Sequence, residues 1–448
     1  MSRIVVVGGG LAGLAAAVRL ADAGEQVTVL ERLSAAGGRV RKIRGPADEE
    51  LDWGQHLMLG AYRSTRALAR RLGSAGQLRF VERPTPLVTE SGGRHMYGVG
   101  DLPAPFHALP ALFGLTHLGL LERLGLGRPV LAAKLGVRLS PARLDRSSAL
   151  DWLRANGQSD GAIRGFWEPL VVATCNAAPA EASAALLATV IDQGFFAERE
   201  DALPLLPERT LCDALVDPAL AAIAERGGEV RTGEGAVRLD TAPSGRIAAV
   251  RTTKGASLPA DGVVLAVPSW DVAELLPGDS APRALAENAA WLGASPIVCV
   301  EVWFDRPWFE HPFAGLIGAT VQWVFAHPPG RVPGAAQRLS LVVSRAGAWV
   351  ERPNEELIAG ALDELRRFFP EARAAREVAT LIVKERKATF LGRPGQASRR
   401  PTTRTPVPNL VLAGDWTATG LPATIEGAVR SGEAAARLLG AGPAGARP

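Results

Sequence analysis

The chain opens on Arg3-Ile4-Val5-Val6-Val7-Gly8-Gly9-Gly10-Leu11-Ala12-Gly13-Leu14, and no other stretch restricts its fold as strongly. An apolar, β-branched run leads into Gly8-x-Gly10-x-x-Gly13. An alanine-rich helical pattern follows from Leu14 to Ala23, and a second apolar run, Gln26 to Leu30, ends on Glu31. Strand, tight turn, helix and strand in that order predict a dinucleotide-binding unit. Each glycine meets a separate steric demand: Gly8 the turn, Gly10 the approach of backbone to a pyrophosphate, Gly13 the packing of helix on strand. The helix then starts with unpaired N–H groups and a positive dipole end aimed at the phosphates. Glu31 lies 18 residues past Gly13, where a carboxylate accepts hydrogen bonds from ribose hydroxyls.

Composition narrows the partners. The 448 residues are 47% hydrophobic and 21% charged, as expected of a globular chain with a large core. A net charge of +4, with no basic stripe longer than Arg399-Arg400, excludes a nucleic-acid binder. Cys175, Cys212 and Cys299 are too scattered for a disulfide framework or a metal site, so no metal and a reducing cytosol are expected. No uncharged apolar run reaches the roughly 18 residues of a membrane span.

Two glycine-bearing loops follow the first unit, Gly37-Gly38-Arg39-Val40 and Asp52-Trp53-Gly54-Gln55-His56-Leu57-Met58-Leu59-Gly60, and they suit a longer cofactor than a nicotinamide dinucleotide. Helices are expected at 65–72 and 151–157. Residues 102–139 are rich in Leu, Phe, Ala, Gly and Pro and are cut by prolines at 103, 105, 110 and 129. That composition predicts short amphipathic pieces, either a buried cap over a pocket or a membrane-facing surface. The runs Gly228–Thr232 and Arg246–Thr252 are expected to be neighbouring strands around the Pro243-Ser244-Gly245 turn. Asp261–Pro268 reads as a central strand of the nucleotide-binding sheet. Further strands are expected at 297–304, 320–325 and 339–344, with a helix over 354–369. Near the C-terminus, Leu410–Ala413 runs into Gly414-Asp415, and a helix begins near Pro422. Its N-terminal dipole suits the negative charge of a reduced flavin, and Asp415 can accept a hydrogen bond from a ribityl hydroxyl.

With these residues placed, the chain resembles flavoproteins of the amine oxidase and phytoene desaturase superfamily, and within it the hydroxysqualene dehydroxylases. The likeness is carried by the fingerprint, Glu31, Gly37-Gly38-Arg39, Gly54–Tyr62, Leu102-Pro103-Ala104-Pro105, Trp167-Glu168-Pro169-Leu170, Glu181–Leu186, Ala266-Val267-Pro268, Gln322-Trp323, Val383–Phe390 and Leu410–Gly432. The resemblance implies an α/β fold: a Rossmann-like FAD-binding domain of the amine-oxidase type (1–63, 205–294 and 386–448) with an interleaved α+β substrate domain (64–204 and 295–385).

It further implies FAD and a lipophilic isoprenoid substrate. The reaction would be reduction of hydroxysqualene, made by two partner enzymes, to squalene for hopanoid supply. A cytoplasmic protein on the inner face of the membrane would fit. Squalene or phytoene desaturation is the rival reading, and amine oxidation a more distant one. The cofactor residues implied are Gly8, Gly10, Leu11, Ala12, Gly13, Glu31, Arg32, Gly38, Arg39, Gly54, Gln55, His56, Ala236, Ala266, Gly414, Asp415, Thr424, Ile425 and Ala428. Protonating an allylic hydroxyl before hydride transfer requires an acid, for which His56, Glu168 and Lys384 are candidates, and Lys387 is a second lysine nearby. Phe166, Trp167, Phe195 and Trp323 are expected to line the pocket, their π faces suited to a transient cation.

Overall fold

The computed structural model describes residues 1–103, 106–195, 197–276 and 283–440. Ala104, Pro105 and the side chain of Phe195 lie outside the described residues. A five-stranded parallel sheet runs in the order Glu229–Thr232, Gln26–Glu31, Arg3–Val7, Gly262–Leu265 and Leu410–Leu412. Its strands are apolar on both faces because both faces are covered. Ile4, Val6, Val27, Val29, Val264 and Val411 pack against the helices Leu11–Asp22 and Ile425–Leu438. Val5, Val7, Leu30, Val263, Leu265 and Leu412 pack the other way, on Leu239, Ile247 and Val250 of a small antiparallel layer. The two helices touch backbone to backbone: a Cβ on Gly432 would stand 2.1 Å from the Ala12 carbonyl oxygen.

One expected pairing is different. Glu229–Thr232 joins the parallel sheet beside Gln26–Glu31, and the partner of Ile247–Thr252 is Ala236–Thr241. The Pro243 turn does connect a hairpin, but its first strand begins later than the apolar pattern suggested.

The second sheet is mixed, with the order Glu377–Thr389, Ser295–Phe304, Gln337–Val343, Trp323–His327, Phe313–Ile317, Thr85–Thr89 and Arg94–Tyr97. Side-chain alternation divides its faces. Val298, Val300, Val302, Leu339 and Leu341 pack on the Asn354–Phe368 helix. Cys299, Phe313, Phe325, Val342 and Val383 face the Trp53–Leu57 loop and the parallel sheet's side of the molecule. Short helices between 106 and 190 form a third layer around Leu115, Leu153, Trp167 and Leu187.

Candidate active site

The carboxyl ends of the parallel strands open into a cavity of about 890 Å³ that extends to the mixed sheet and the helical layer. Ligands of open α/β sheets bind at such strand ends. Of the expected cofactor residues, Gly13 alone is not part of the wall: a Cβ there would stand 2.0 Å from the Gly8 carbonyl oxygen, so it sets helix-to-turn packing. Gly10 is different. A Cβ on it would meet nothing closer than Gly38 Cα at 4.0 Å, which leaves a cradle open to a ligand. No side chain caps the Leu11–Asp22 helix, so its first N–H groups face that cradle. Gly8 has φ of 110°, and a Cβ would collide with the Ala266 carbonyl.

Glu31 is held by the turn it serves. One oxygen accepts the Gly9 N–H at 2.9 Å, the other the Leu33 N–H at 2.8 Å. Both retain lone pairs for ribose hydroxyls. At the opposite end, Gly414 and Asp415 meet the N-terminus of the Ile425–Leu438 helix, where Thr424 accepts the Gly427 N–H. Arg39 bridges the two ends of the chain, donating to Asp415 Oδ1 at 2.8 Å and the Ala388 carbonyl at 2.7 Å. Burial opposes its charge, but Asp415 and Glu385 hold the guanidinium above its ordinary value. Uncapped N–H groups at one helix start, an open glycine cradle and a buried carboxylate at each end fit a dinucleotide stretched across this cleft.

Arg400, which sequence reasoning did not single out, fixes the loop carrying Asp415. Its buried guanidinium donates to the carbonyls of Asp415, Trp416 and Leu421 and to the Thr419 hydroxyl. No sequence motif marks it, because most of its partners are main-chain oxygens.

His56 lines the cavity, and its Nδ1 is buried without a hydrogen-bond partner. Burial, reinforced by Arg39, pushes its pKa down to about 4, so the ring is neutral near pH 7. The other expected donors are elsewhere. On the helical segment after Ile163, Phe166, Pro169, Leu170 and Ala173 share the cavity face, at helical spacing. Trp167 therefore points into the helical layer, bonding Gln158 Oε1 at 2.8 Å, and Glu168 is not among the lining residues.

Lys384 is likewise outside the wall, with Nζ on the Arg352 carbonyl. The strand's alternation turns Val383 and Glu385 inward instead. A bulge then sets Glu385 opposite Ile297 but Thr389 opposite Ser295, so Arg386–Ala388 arches into the cavity and carries Lys387 there. Glu385 is another residue missed from sequence. It accepts the Trp53 Nε1–H at 2.8 Å, and the Arg41 guanidinium lies 3.8 Å over that indole ring. The alternation that turns Val383 inward is the signal that could have exposed it.

Phe166 and Trp323 both line the cavity. Tyr62 and Tyr97 also line it, and Tyr62 packs in one cluster with Ile425.

A family profile for flavin containing amine oxidoreductases matches residues 11–439. A hydroxysqualene dehydroxylase of Rhodopseudomonas palustris is 35% identical, over 98% of this chain and 99% of its own length. The one from Sinorhizobium fredii is 33% identical over 97% of each. Among solved structures, a putrescine oxidase bound to putrescine superposes with a TM-score of 0.73 over 97% of this chain and 98% of its own; at 19% identity that likeness shows the fold. The chain belongs to the flavin-containing amine oxidoreductase family, alongside the hydroxysqualene dehydroxylases, and is an FAD-dependent oxidoreductase.

Proposed function

We propose that this protein reduces hydroxysqualene to squalene. The observation that carries the reading is the continuity of the cavity. The cleft of Gly10, Glu31, Arg39 and Asp415 opens into an arm lined by Leu57, Leu87, Phe166, Leu170, Phe313 and Phe325. An isoprenoid chain gains about 25 cal/mol for each Å² of apolar surface it buries in such an arm. The end-to-end match to proteins called hydroxysqualene dehydroxylases supplies the substrate's name.

In this reading Gly8–Ala12, with Gly38 and Arg39, would hold the pyrophosphate. Glu31, with Arg32 and Ala236, would hold the adenosine ribose, and Asp415 would accept a hydrogen bond from the ribityl chain. The Thr424–Ala428 helix start, with Gly54, Gln55, Ala266 and Gly414, would hold the flavin ring and offer its dipole to the charge of the reduced form. The reduced flavin supplies a hydride when bound. The chain's own residues hold the carbon that receives it, keep water away and tolerate positive charge at that carbon. Phe166 and Trp323 offer π faces for the last task. Neutral His56 accepts a hydrogen bond on Nδ1 and so orients the substrate hydroxyl.

The same reading gives residues 106–139 a membrane-facing role. Phe113, Leu121, Leu131 and Leu139 are more than 60% exposed there. Arg123, Arg128, Lys134 and Arg138 stand against a single acid, Glu122. The buried side of these helices, at Leu115, Leu118 and Leu126, packs in one cluster with Phe166, Leu170 and Trp323 of the cavity wall. A lipid substrate could then pass from an anionic bilayer surface into the arm. No helix among the described residues is long and apolar enough to cross a membrane.

Anaerobic mixing of the photoreduced protein with hydroxysqualene tests the function. Squalene is the expected product. Recovery of unchanged alcohol, with desaturation of a polyene by the oxidised protein, would overturn the reading in favour of a desaturase.

A further inference from the structure

The mixed sheet carries a line of polar side chains through otherwise apolar packing beneath the cavity. Alternation along Ser295–Phe304 turns Ile297 and Cys299 into the cavity wall and places Glu301 directly below. The Cys299 thiol donates to Glu301 Oε1 at 3.4 Å, and the Ser340 hydroxyl donates to the same oxygen at 2.7 Å. Ser340 Oγ in turn lies 2.8 Å from His327 Nε2. Cross-strand register produces the line: Glu301 is opposite Ser340, and Ser340 is opposite Phe325, two residues before His327. Glu301 is 6% exposed and Ser340 1%, whereas His327 is only half-buried, near Arg338 and Arg79.

Burying a carboxyl in a sheet centre is expensive, and an apolar residue of similar volume would serve stability as well or better. Glu301 also lacks complete compensation. Its Oε2 forms an ion pair with the largely buried Arg338, Nε at 3.7 Å, but accepts no hydrogen bond. A buried carboxylate oxygen that accepts no hydrogen bond calls for an explanation, and a role in proton transfer is one.

We infer that Cys299, Glu301, Ser340 and His327 form a proton path from solvent to the cavity floor, delivering the proton that each dehydroxylation consumes. The inference rests on the reaction proposed above. In that reaction the C–O bond breaks heterolytically. The oxygen takes a proton from Cys299 Sγ and leaves as water, while the carbon takes a hydride from the reduced flavin, which is oxidised. Rotation of the thiol swings its hydrogen from Glu301 to the cavity. Ser340 then passes its proton to the Glu301 carboxylate and takes one from His327, Glu301 hands the proton it has gained to the sulfur, and solvent restores His327, so the path ends as it began.

Burial acts on both ends of the line. Burial, with Glu301 beside it, pushes the Cys299 thiol up, which keeps it protonated. Burial, then Arg338 and Arg79, push His327 down. A neutral imidazole can take a proton on one ring nitrogen while releasing one from the other. Among the described residues no group of three or more ligating side chains could hold a metal, so these residues are not a metal site.

The test uses flavin-loaded protein and three comparisons. Glu301→Gln keeps shape and hydrogen bonding but cannot relay a proton. Its anaerobic single-turnover rate should fall on the order of 100-fold, with substrate affinity unchanged. Cys299→Ala should fall similarly, and Cys299→Ser, a weaker acid whose hydroxyl can still pass a proton, should fall less. His327→Ala should recover with added imidazole, which a purely structural role would not allow.

A readout without turnover is exchange of the Cys299 S–H infrared band in heavy water, assigned by difference from Cys299→Ser. It should be fast in the wild type and slow in Glu301→Gln. Wild-type turnover with Glu301→Gln and Cys299→Ala rates within twofold of it, or equal exchange rates, would overturn the path. Should Glu301→Gln lose flavin, the Cys299→Ser and Cys299→Ala pair decides. Absence of wild-type turnover would overturn the reaction and the path together.

Discussion

Gly10 and Gly13 stand three residues apart in one fingerprint, yet they answer to different neighbours. Gly10 has room for a Cβ and an ordinary φ of −75°, whereas Gly13 has a carbonyl oxygen 2.0 Å from where a Cβ would be. Gly10→Val should therefore fold with the thermal midpoint of flavin-free wild type but bind no flavin. Gly13→Val should lower that midpoint itself. Absorbance near the flavin bands and a melting curve separate the two, and stoichiometric flavin in Gly10→Val would contradict the assignment.

Asp52 gives a pH prediction at the same scale. Burial is the largest influence and pushes its pKa up to about 7, against hydrogen bonds from Leu211 and Cys212. The unfolded value is near 3.9, so between roughly 4 and 7 the folded chain binds more protons than the unfolded one. Stability from this group therefore falls as pH rises through that window. Asp52→Asn, which keeps an acceptor for the Leu211 N–H, should raise the melting temperature more at pH 8 than at pH 5.

These residues also mark what could be read without coordinates. The fingerprint, Glu31 and Gly414-Asp415 were legible because each rests on local geometry that a few adjacent residues impose. The choice between Lys384 and Lys387 was not, because it depends on a bulge. Nor was the choice between Phe166 and Trp167, which depends on the direction a helix faces.

Elements interlock through buried caps. Glu426, from the first turn of the C-terminal helix, accepts the N–H groups of Ser64 and Thr65, the Thr65 hydroxyl and Arg430 Nε, and is 2% exposed. It thereby caps the Arg63–Arg71 helix from 361 residues away in sequence. Glu426→Ala leaves several buried donors unsatisfied and should cost about 3 kcal/mol in urea unfolding. A loss below about 0.5 kcal/mol would contradict the cap. Most elements were foreseeable from apolar periodicity, including Gly262–Leu265, Ser295–Phe304 and Asn354–Phe368. Pairing was less so. Glu229–Thr232 has the same alternation whether it joins the parallel sheet or a hairpin, and only three-dimensional closure decides. The line from Cys299 to His327 was invisible for the same reason: it exists only in the register of three strands.

At the scale of the whole molecule, the chain's two ends close around one cleft, and its middle supplies the apolar arm. Strand Glu377–Thr389 belongs to the mixed sheet yet delivers Ala388 to Arg39, so it couples the arm to the cofactor cleft and crosses the boundary expected at 385/386. The exposed leucines of 106–139 lie on the far side of the same helical layer. Replacing Leu121 and Leu139 with Asp should release the protein from anionic vesicles in flotation assays without lowering its melting temperature. Unchanged flotation would remove the membrane from the account.

The central claim is that this cavity brings an isoprenoid alcohol to a reduced flavin. Its most direct test is stopped-flow absorbance of the reduced protein mixed with hydroxysqualene in the absence of oxygen. The account predicts flavin reoxidation that requires the alcohol and keeps step with squalene, one for one. Flavin that stays reduced while the alcohol is bound would contradict it.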